Sequence, residues 1–218
     1  MIYLTGIVSA FVCSVLCVVC IYDWKKVMQK EQTEKNIMGK KMLVALCSII
    51  MIISVLLSIL FNRYGYGPLK SIKYCCLLWG LAPIAFRDWK TKTIPNRWLA
   101  YLIGIRLMLL VLEVLFYPDA VWDNLMFLIL GTFISGGIMF LAYVISRHEI
   151  GMGDVKLFMV TGMYLGLSLN YLLLLASLIF SAVYGCIKMM KKDLKSKDSI
   201  PFAPFVFMGA IVILGLGF

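Results

Sequence analysis

Two aspartates beside long apolar runs are the residues of this sequence best placed to do chemistry. Asp88 follows an apolar run that ends near residue 86, and Asp154 precedes another within the segment HEIGMGDVKL. Two carboxyl groups held close together share a proton, so that one acts as a base toward water and the other as an acid toward a carbonyl oxygen. Such a pair can hydrolyse a peptide bond without a metal ion, and it titrates as a unit with two apparent pKa values.

The residues around Asp154 predict the start of a helix. Gly151 and Gly153 flank Met152, and they allow the backbone to bend and an extended substrate strand to lie against it. Asp154 is expected at or just inside the helix N-terminus, where exposed amide groups favour an anion. Gly-Asp is also an ordinary helix-cap signal, so the segment indicates chemistry only together with a second carboxylate. Lys156 is expected either to favour the ionised pair or to extend to lipid headgroups.

The composition is that of a membrane protein. Of 218 residues, 62% are hydrophobic and 15% are charged. Apolar runs of about 20 residues, long enough to cross a bilayer as helices, recur along the chain. They predict an all-α, polytopic bundle of about eight transmembrane helices, forming a single integral membrane domain over residues 1–218. The predicted spans are residues 2–22, 42–61, 71–86, 98–117, 121–146, 155–169, 171–190 and 200–218.

The distribution of charge predicts the topology. The net charge of +10 is concentrated in alternate loops, such as residues 23–41 and 87–97, which argues against a nucleic-acid partner. By the positive-inside rule these loops are cytoplasmic and the N-terminus lies outside. Asp88 and Asp154 are then delivered to the same cytoplasmic face of the cell's inner, or cytoplasmic, membrane, which the chain crosses several times.

The spans that carry the two aspartates are predicted to be the shortest. Residues 71–86 and 155–169 form helices of about 22–24 Å, against a hydrocarbon core of about 30 Å. We therefore expect either a thinner bilayer or entering water at these spans. Both would place the aspartates in a wet notch, the setting typical of ionisable groups near membrane depth.

Other polar residues are assigned structural roles. Arg106, inside the predicted fourth span, could be a functional charge, and we favour an ion pair within the bundle. His148 and Glu149 are expected to be solvated at the interface, with tuning of the site as the alternative. The cysteines, including Cys17 and Cys20 in a CxxC, lie in apolar spans and predict packing, with neither a disulfide framework nor a metal site. We expect no cofactor and no metal ion.

Three motifs together resemble those of the type IV prepilin peptidase family, membrane aspartic proteases of the GxGD kind. They are D-x5-IPN at residues 88–96, GMGDVKL at residues 151–157 and PFAPF at residues 201–205. The likeness covers a predicted peptidase core, roughly residues 71–205, and leaves two additional spans within residues 1–70. The resemblance implies that Asp88 and Asp154 are catalytic. The residues expected to bind substrate or support the pair are Gly151, Gly153, Lys156, Pro95 and Asn96.

The resemblance also implies a substrate. The family removes short basic leader peptides from prepilins or pseudopilins at the cytoplasmic membrane face. The implied partners are therefore such a precursor, entering from the bilayer, and membrane lipid. Many bacterial members carry an additional N-methyltransferase region with paired CxxC motifs in a cytoplasmic loop. This chain shows no such loop and is similar to short members, so N-methylation is not expected.

Three other functions compete with proteolysis. The two aspartates could relay protons or bind a cation in a transporter or channel, although both are predicted at one face and no inverted repeat is evident. The chain could also be a noncatalytic assembly factor of a pilus or secretion machine. A metal-dependent phosphotransfer enzyme is a weaker alternative, because the sequence lacks clustered carboxylates for Mg²⁺.

Overall fold

The computed structural model describes most of the chain after the second predicted span. It covers residues 56–57, 59–61, 63–146, 150–190 and 200–217. The predicted first span and the loop at residues 23–41 lie outside the described residues, as do His148 and Glu149. The described residues belong to two compact units, one ending at Trp79 and including Gly217, the other running from residue 80 to residue 216. Each is described by itself.

The described residues form five long helices. In chain order these are α1 (Pro68–Thr91), α2 (Asn96–Phe116), α3 (Pro118–Ile145), α4 (Met152–Met190) and α5 (Ala203–Leu216). In this part of the chain no strand is present, and α1 to α4 are long and apolar enough to cross a membrane. The chain is therefore an all-helical, polytopic membrane protein, as its composition predicts.

The first unit contains an aromatic cluster. Phe61 lies 5.7 Å from Tyr66 and 5.8 Å from Tyr74, measured between ring centroids. The ammonium group of Lys70 lies 3.9 Å from the centroid of the Tyr66 ring. Aromatic rings pack favourably at these distances, and a cation over a ring face adds an electrostatic attraction. The cluster therefore fixes the turn before α1 to the first turns of that helix.

Helix α1 is longer than its apolar run. It has 24 residues and continues to Thr91, so Asp88 lies in its last turn and does not follow the helix. The sequence-based expectation of a short helix here is wrong, because hydropathy marks where apolar residues end and not where backbone hydrogen bonding ends. The first part of α4, residues 152–165, is indeed short, with a length of about 21 Å.

Helix α4 bends sharply at Gly166. This residue has φ 74° and ψ −175°, a conformation that glycine adopts without a steric penalty. The Asn170 side-chain amide donates a hydrogen bond to the Phe158 carbonyl at 3.2 Å. Twelve residues of straight helix would separate these residues by about 18 Å. The second segment, residues 167–190, therefore runs back beside the first, and the bend lies at the end of the predicted sixth span.

Glycines allow α3 to lie directly against the first segment of α4. A Cβ atom on Gly162 would lie 2.4 Å from the Gly131 carbonyl oxygen, and one on Gly131 would lie 2.5 Å from the Gly166 carbonyl carbon. The hydroxyl of Ser135 donates across the same interface to the Phe158 carbonyl at 3.2 Å. Close backbone approach through small residues is a common way for membrane helices to associate.

A buried arginine ties α2 to α4 just before the bend. The Nε of Arg106 donates to the Met163 carbonyl at 2.7 Å, and its Nη1 forms an ion pair with Glu113 at 3.0 Å. The Tyr164 hydroxyl donates to the Leu102 carbonyl at 2.7 Å. The structure thus shows the pairing of Arg106 within the bundle. A charged group at membrane depth requires partners of this kind.

We expect the Gly162→Ala substitution to lower the thermal stability of the detergent-solubilised protein. The added methyl group would overlap backbone atoms of α3, and overpacking of this kind costs about 1–3 kcal/mol. Gly137→Ala is the matched control, because a Cβ atom there meets nothing within 4 Å. The control should retain or slightly raise the melting temperature, since alanine favours a helix more than glycine does. Equal melting temperatures for the two variants would contradict the close packing.

Candidate active site

Asp88 lies at the point where α1 ends and the chain turns toward α2. Its side chain is buried, with 5% of the residue exposed. Lys92 adopts a left-handed conformation with φ 52°, and its N–H donates to the Asp88 carbonyl at 2.8 Å. A left-handed residue just after the last turn is a common helix ending. It directs the chain away from the axis of α1 and leaves the Asp88 side chain beside the turn.

The N-terminus of α5 holds the Asp88 carboxylate. The backbone N–H of Ala203 donates to Oδ2 of Asp88 at 2.9 Å, and the N–H of Phe202 is a second backbone donor to the same group. The first amides of a helix have no acceptor within that helix, and its dipole favours a negative charge there. The third sequence motif, residues 201–205, therefore contacts one of the two predicted catalytic residues directly.

Asp154 lies in the first turn of α4, as predicted. Its N–H donates to the Gly151 carbonyl at 3.0 Å, and its carboxyl group accepts a hydrogen bond from the Gly151 N–H. The second contact is the return hydrogen bond that a carboxylate in the first helical turn makes to the capping residue. Gly151 lies close to the carboxyl group, because a Cβ atom there would be 3.2 Å from Oδ2 of Asp154.

Two contacts join the turn before α2 to the start of α4. A Cβ atom on Gly153 would lie 2.9 Å from the Cβ of Ile94, so this side chain packs directly on the glycine backbone. The ammonium group of Lys156 donates to Oδ1 of Asn96 at 3.2 Å. Pro95 precedes α2 with φ −76° and ψ 124°, and this extended conformation carries the chain from the Ile94 contact into the helix.

These contacts bring the two aspartates together. Ala203 binds Asp88, and the adjacent Phe202 packs against Phe158, one turn after Asp154, so the two residues lie at the same junction although they come from different helices and are distant in sequence. Both lie within the unit that runs from residue 80 to residue 216. Within the described ranges, no three or more His, Cys, Asp or Glu side chains are grouped as metal ligands.

The supporting residues predicted from sequence all lie at this junction. The ammonium group of Lys156 is bound to Asn96, and its two expected roles stay predictions. Gly153 is covered by Ile94, so it serves packing between the turn and α4. Gly151 is exposed.

The apolar side chain and the backbone amides that contribute to the site were not predicted from the sequence. Ile94 was recognised only as part of the D-x5-IPN motif, and the amides of Phe202 and Ala203 carry no side-chain signal for chemistry. The available signal was Pro201, which precedes a helix start in the third motif. Side-chain chemistry alone therefore identified both carboxylates and missed the donors to one of them.

Aromatic rings pack around the start of α5. Tyr184, on the second segment of α4, lies 5.8 Å from Trp89 and 5.3 Å from Phe205 between ring centroids. Phe158 lies 5.9 Å from Phe202. Rings at these distances stabilise their arrangement beyond simple burial. They hold the α5 N-terminus beside the end of α1, where its amides meet Asp88.

The fold and the site define a polytopic helical membrane protein with two carboxyl groups at the ends of different helices, beside one junction of the chain. Residues 75–186, just over half of the chain, match the type IV leader peptidase family. The chain belongs to this family, and the matched region contains both Asp88 and Asp154.

A prepilin leader peptidase/N-methyltransferase of Bacillus subtilis (strain 168) is similar to part of the chain. It is 32% identical over 80 residues, which are 36% of this chain and 32% of the relative. The chain thus spans about a third of the length of the relative that it matches. No solved structure matches the chain.

We expect Gly153→Ala to destabilise the junction between the turn and α4. The new methyl group would overlap Ile94, and overpacking costs about 1–3 kcal/mol. In a double variant, Ile94→Ala should recover part of the lost melting temperature, because it removes the atoms that the methyl group meets. Gly104→Ala, at an open position of α2, is the control. Additive effects of Gly153→Ala and Ile94→Ala would show that the two residues are not in contact.

Proposed function

We propose that the chain is an aspartic endopeptidase that removes the short basic leader peptide from a prepilin-like precursor at the cytoplasmic membrane face. The precursor would be a type IV pilin, a pseudopilin or a Tad-type pilin. The observation that carries the proposal is the placement of Asp88 and Asp154 at one junction of the fold: Ala203 binds Asp88, the adjacent Phe202 packs against Phe158 one turn after Asp154, and Ile94 packs on Gly153. Membership in the leader peptidase family supports the reaction class. N-methylation, which the name of the Bacillus relative includes, is not part of the proposal.

In the proposed reaction, a water molecule lies between the two carboxyl groups and the scissile carbonyl. The ionised carboxylate takes a proton from the water as the water oxygen attacks the carbonyl carbon. The protonated carboxyl group gives its proton to the carbonyl oxygen, which forms a neutral diol. The C–N bond then breaks, the nitrogen receives the first proton, and the second returns to its original carboxyl group. One water is consumed and the pair is restored.

The surroundings of the pair support approach of the substrate from the α4 N-terminus. Asp88 is buried, whereas Gly151 is exposed and 43% of Met152 is accessible. An extended substrate strand could form backbone hydrogen bonds there, as strands do when they add to exposed backbone. The hydrophobic helix of the precursor would remain in the bilayer. The positive-inside rule supports a cytoplasmic site, because the adjoining segment at residues 87–97 is rich in basic residues.

We expect Asp88→Asn and Asp154→Asn each to abolish cleavage of a co-expressed precursor. A single asparagine leaves the pair unable to act as both acid and base, and loss of such catalysis costs about 10²- to 10⁴-fold. The precursor should have a basic leader and a glycine before its hydrophobic stretch, and its size would be followed by gel electrophoresis. Asp123→Asn is the matched control, because Asp123 is exposed in the first turns of α3.

The outcomes separate the proposal from its alternatives. Cleavage by either single asparagine variant at the wild-type rate would exclude a dyad. Loss of cleavage in the presence of a chelator would indicate a metal-dependent enzyme. An uncut precursor with wild-type protein, together with pilus assembly that still requires the chain, would identify an assembly factor.

The purified enzyme should have a pH–rate profile that falls on both sides of an optimum. Only the singly protonated pair contains one base and one acid, so both the doubly ionised and the doubly protonated forms are inactive. The profile would be measured with a synthetic leader peptide in detergent micelles. A rate that rises to a plateau with no second limb would indicate a single essential group.

A further inference from the structure

The two carboxyl groups are held in unequal ways. Asp88 accepts hydrogen bonds from the Ala203 and Phe202 amides, which belong to a different helix. Asp154 accepts one from Gly151, the residue that caps its own helix. Hydrogen bonds from backbone amides favour the charged form of a carboxyl group, and each additional donor strengthens that preference. The site is therefore asymmetric before a substrate enters.

The source of this asymmetry is the backbone of α5. Helix α5 contains no ionisable side chain, so it acts on Asp88 only through its amides and its dipole. From α4, the ionisable groups on this side of the bundle are Asp154 itself, Lys156, whose ammonium group is bound to Asn96, and Tyr184, whose ring packs against Trp89. Arg87 and Lys90 flank Asp88 on its own helix, and Lys92 is exposed in the following turn.

We propose that the α5 N-terminus assigns the two roles, with Asp88 the ionised general base and Asp154 the general acid that carries the shared proton. The inference rests on the proposed function and deepens it. Two neighbouring carboxyl groups do not both ionise easily, so the shared proton resides on the carboxyl group that has fewer backbone hydrogen-bond donors. The amides of Phe202 and Ala203 are then positioning groups, which hold Asp88 ionised without touching the substrate.

The assignment specifies the path of each proton. In the first step, water transfers a proton to Asp88 as its oxygen bonds to the scissile carbon, and Asp154 transfers its proton to the carbonyl oxygen. In the second step, the C–N bond breaks as Asp88 gives its proton to the leaving nitrogen. The diol hydroxyl returns a proton to Asp154. No oxidant, metal ion or further reactant is needed.

The test removes one amide donor and changes neither side chain of the dyad. In Ala203→Pro the N–H is absent, and proline is well tolerated at the first position of a helix. Ala203→Ser, which keeps the N–H, is the matched control. We expect Ala203→Pro to lower kcat by about 10- to 100-fold, the effect of losing a charge-assisted hydrogen bond, with KM unchanged.

The pH profile provides the readout that a purely structural role would not change. Loss of the donor destabilises ionised Asp88, so the acidic limb of the profile should move to higher pH. The basic limb, which reports deprotonation of Asp154, should stay in place, and the shift of the acidic limb is measured against Ala203→Ser, which keeps the amide. An unshifted profile in folded Ala203→Pro, or a shift of the basic limb alone, would overturn the assignment.

A second pair of variants provides the same test if Ala203→Pro does not fold. Phe202→Pro removes the other donor, and Phe202→Ala removes the same aromatic ring but keeps the N–H. Thermal unfolding in detergent identifies the folded variants, and one folded proline variant decides the question. If both asparagine variants of the dyad still cleave, the proposed function fails. If they are inactive while the folded proline variant matches its control, only the assignment of roles fails.

Discussion

The arrangement of the site depends on a hydrogen bond between two helices, in which the backbone N–H of Ala203 at the start of α5 donates to the carboxyl group of Asp88 at the end of α1. Amides at a helix N-terminus have no acceptor within that helix and favour an anion. Both acids of the site are held in this way by backbone amides. The α5 N-terminus holds Asp88, and the Gly151 amide holds Asp154. The three sequence motifs are thus parts of one hydrogen-bonded arrangement.

The approach of these groups requires close contact between chain segments. Gly153 has no side chain, so Ile94 rests on its backbone and the turn after α1 reaches the start of α4. A larger residue at position 153 would move the turn away from α4 and would separate Asp88 from Asp154. The same principle operates deeper in the bundle, where Gly162 and Gly131 bring α3 against α4. Glycines therefore determine how closely chain segments approach each other, both at the site and between α3 and α4.

The bend in α4 connects the deep packing to the site. By turning back at Gly166, the helix places Tyr184 beside Trp89 and Phe205, at the end of the bundle where Asp88 lies. The hydrogen bond of Arg106 to the Met163 carbonyl fixes the segment just before the bend. A charged side chain is suited to this position because it can satisfy carbonyl groups near an interruption in helical hydrogen bonding.

The sequence by itself determined the class of protein and its two acids. Apolar runs of membrane-spanning length, a carboxylate beside each of two of them, and three ordered motifs are local properties, and they led to an all-helical membrane bundle and to Asp88 and Asp154. Only the tertiary structure decided that α1 continues past its apolar run and that Ile94 covers Gly153. It also decided that the amides of Phe202 and Ala203 bind Asp88. Backbone amides are the same at every non-proline residue, so their role depends on which carboxylate the fold brings within hydrogen-bonding distance.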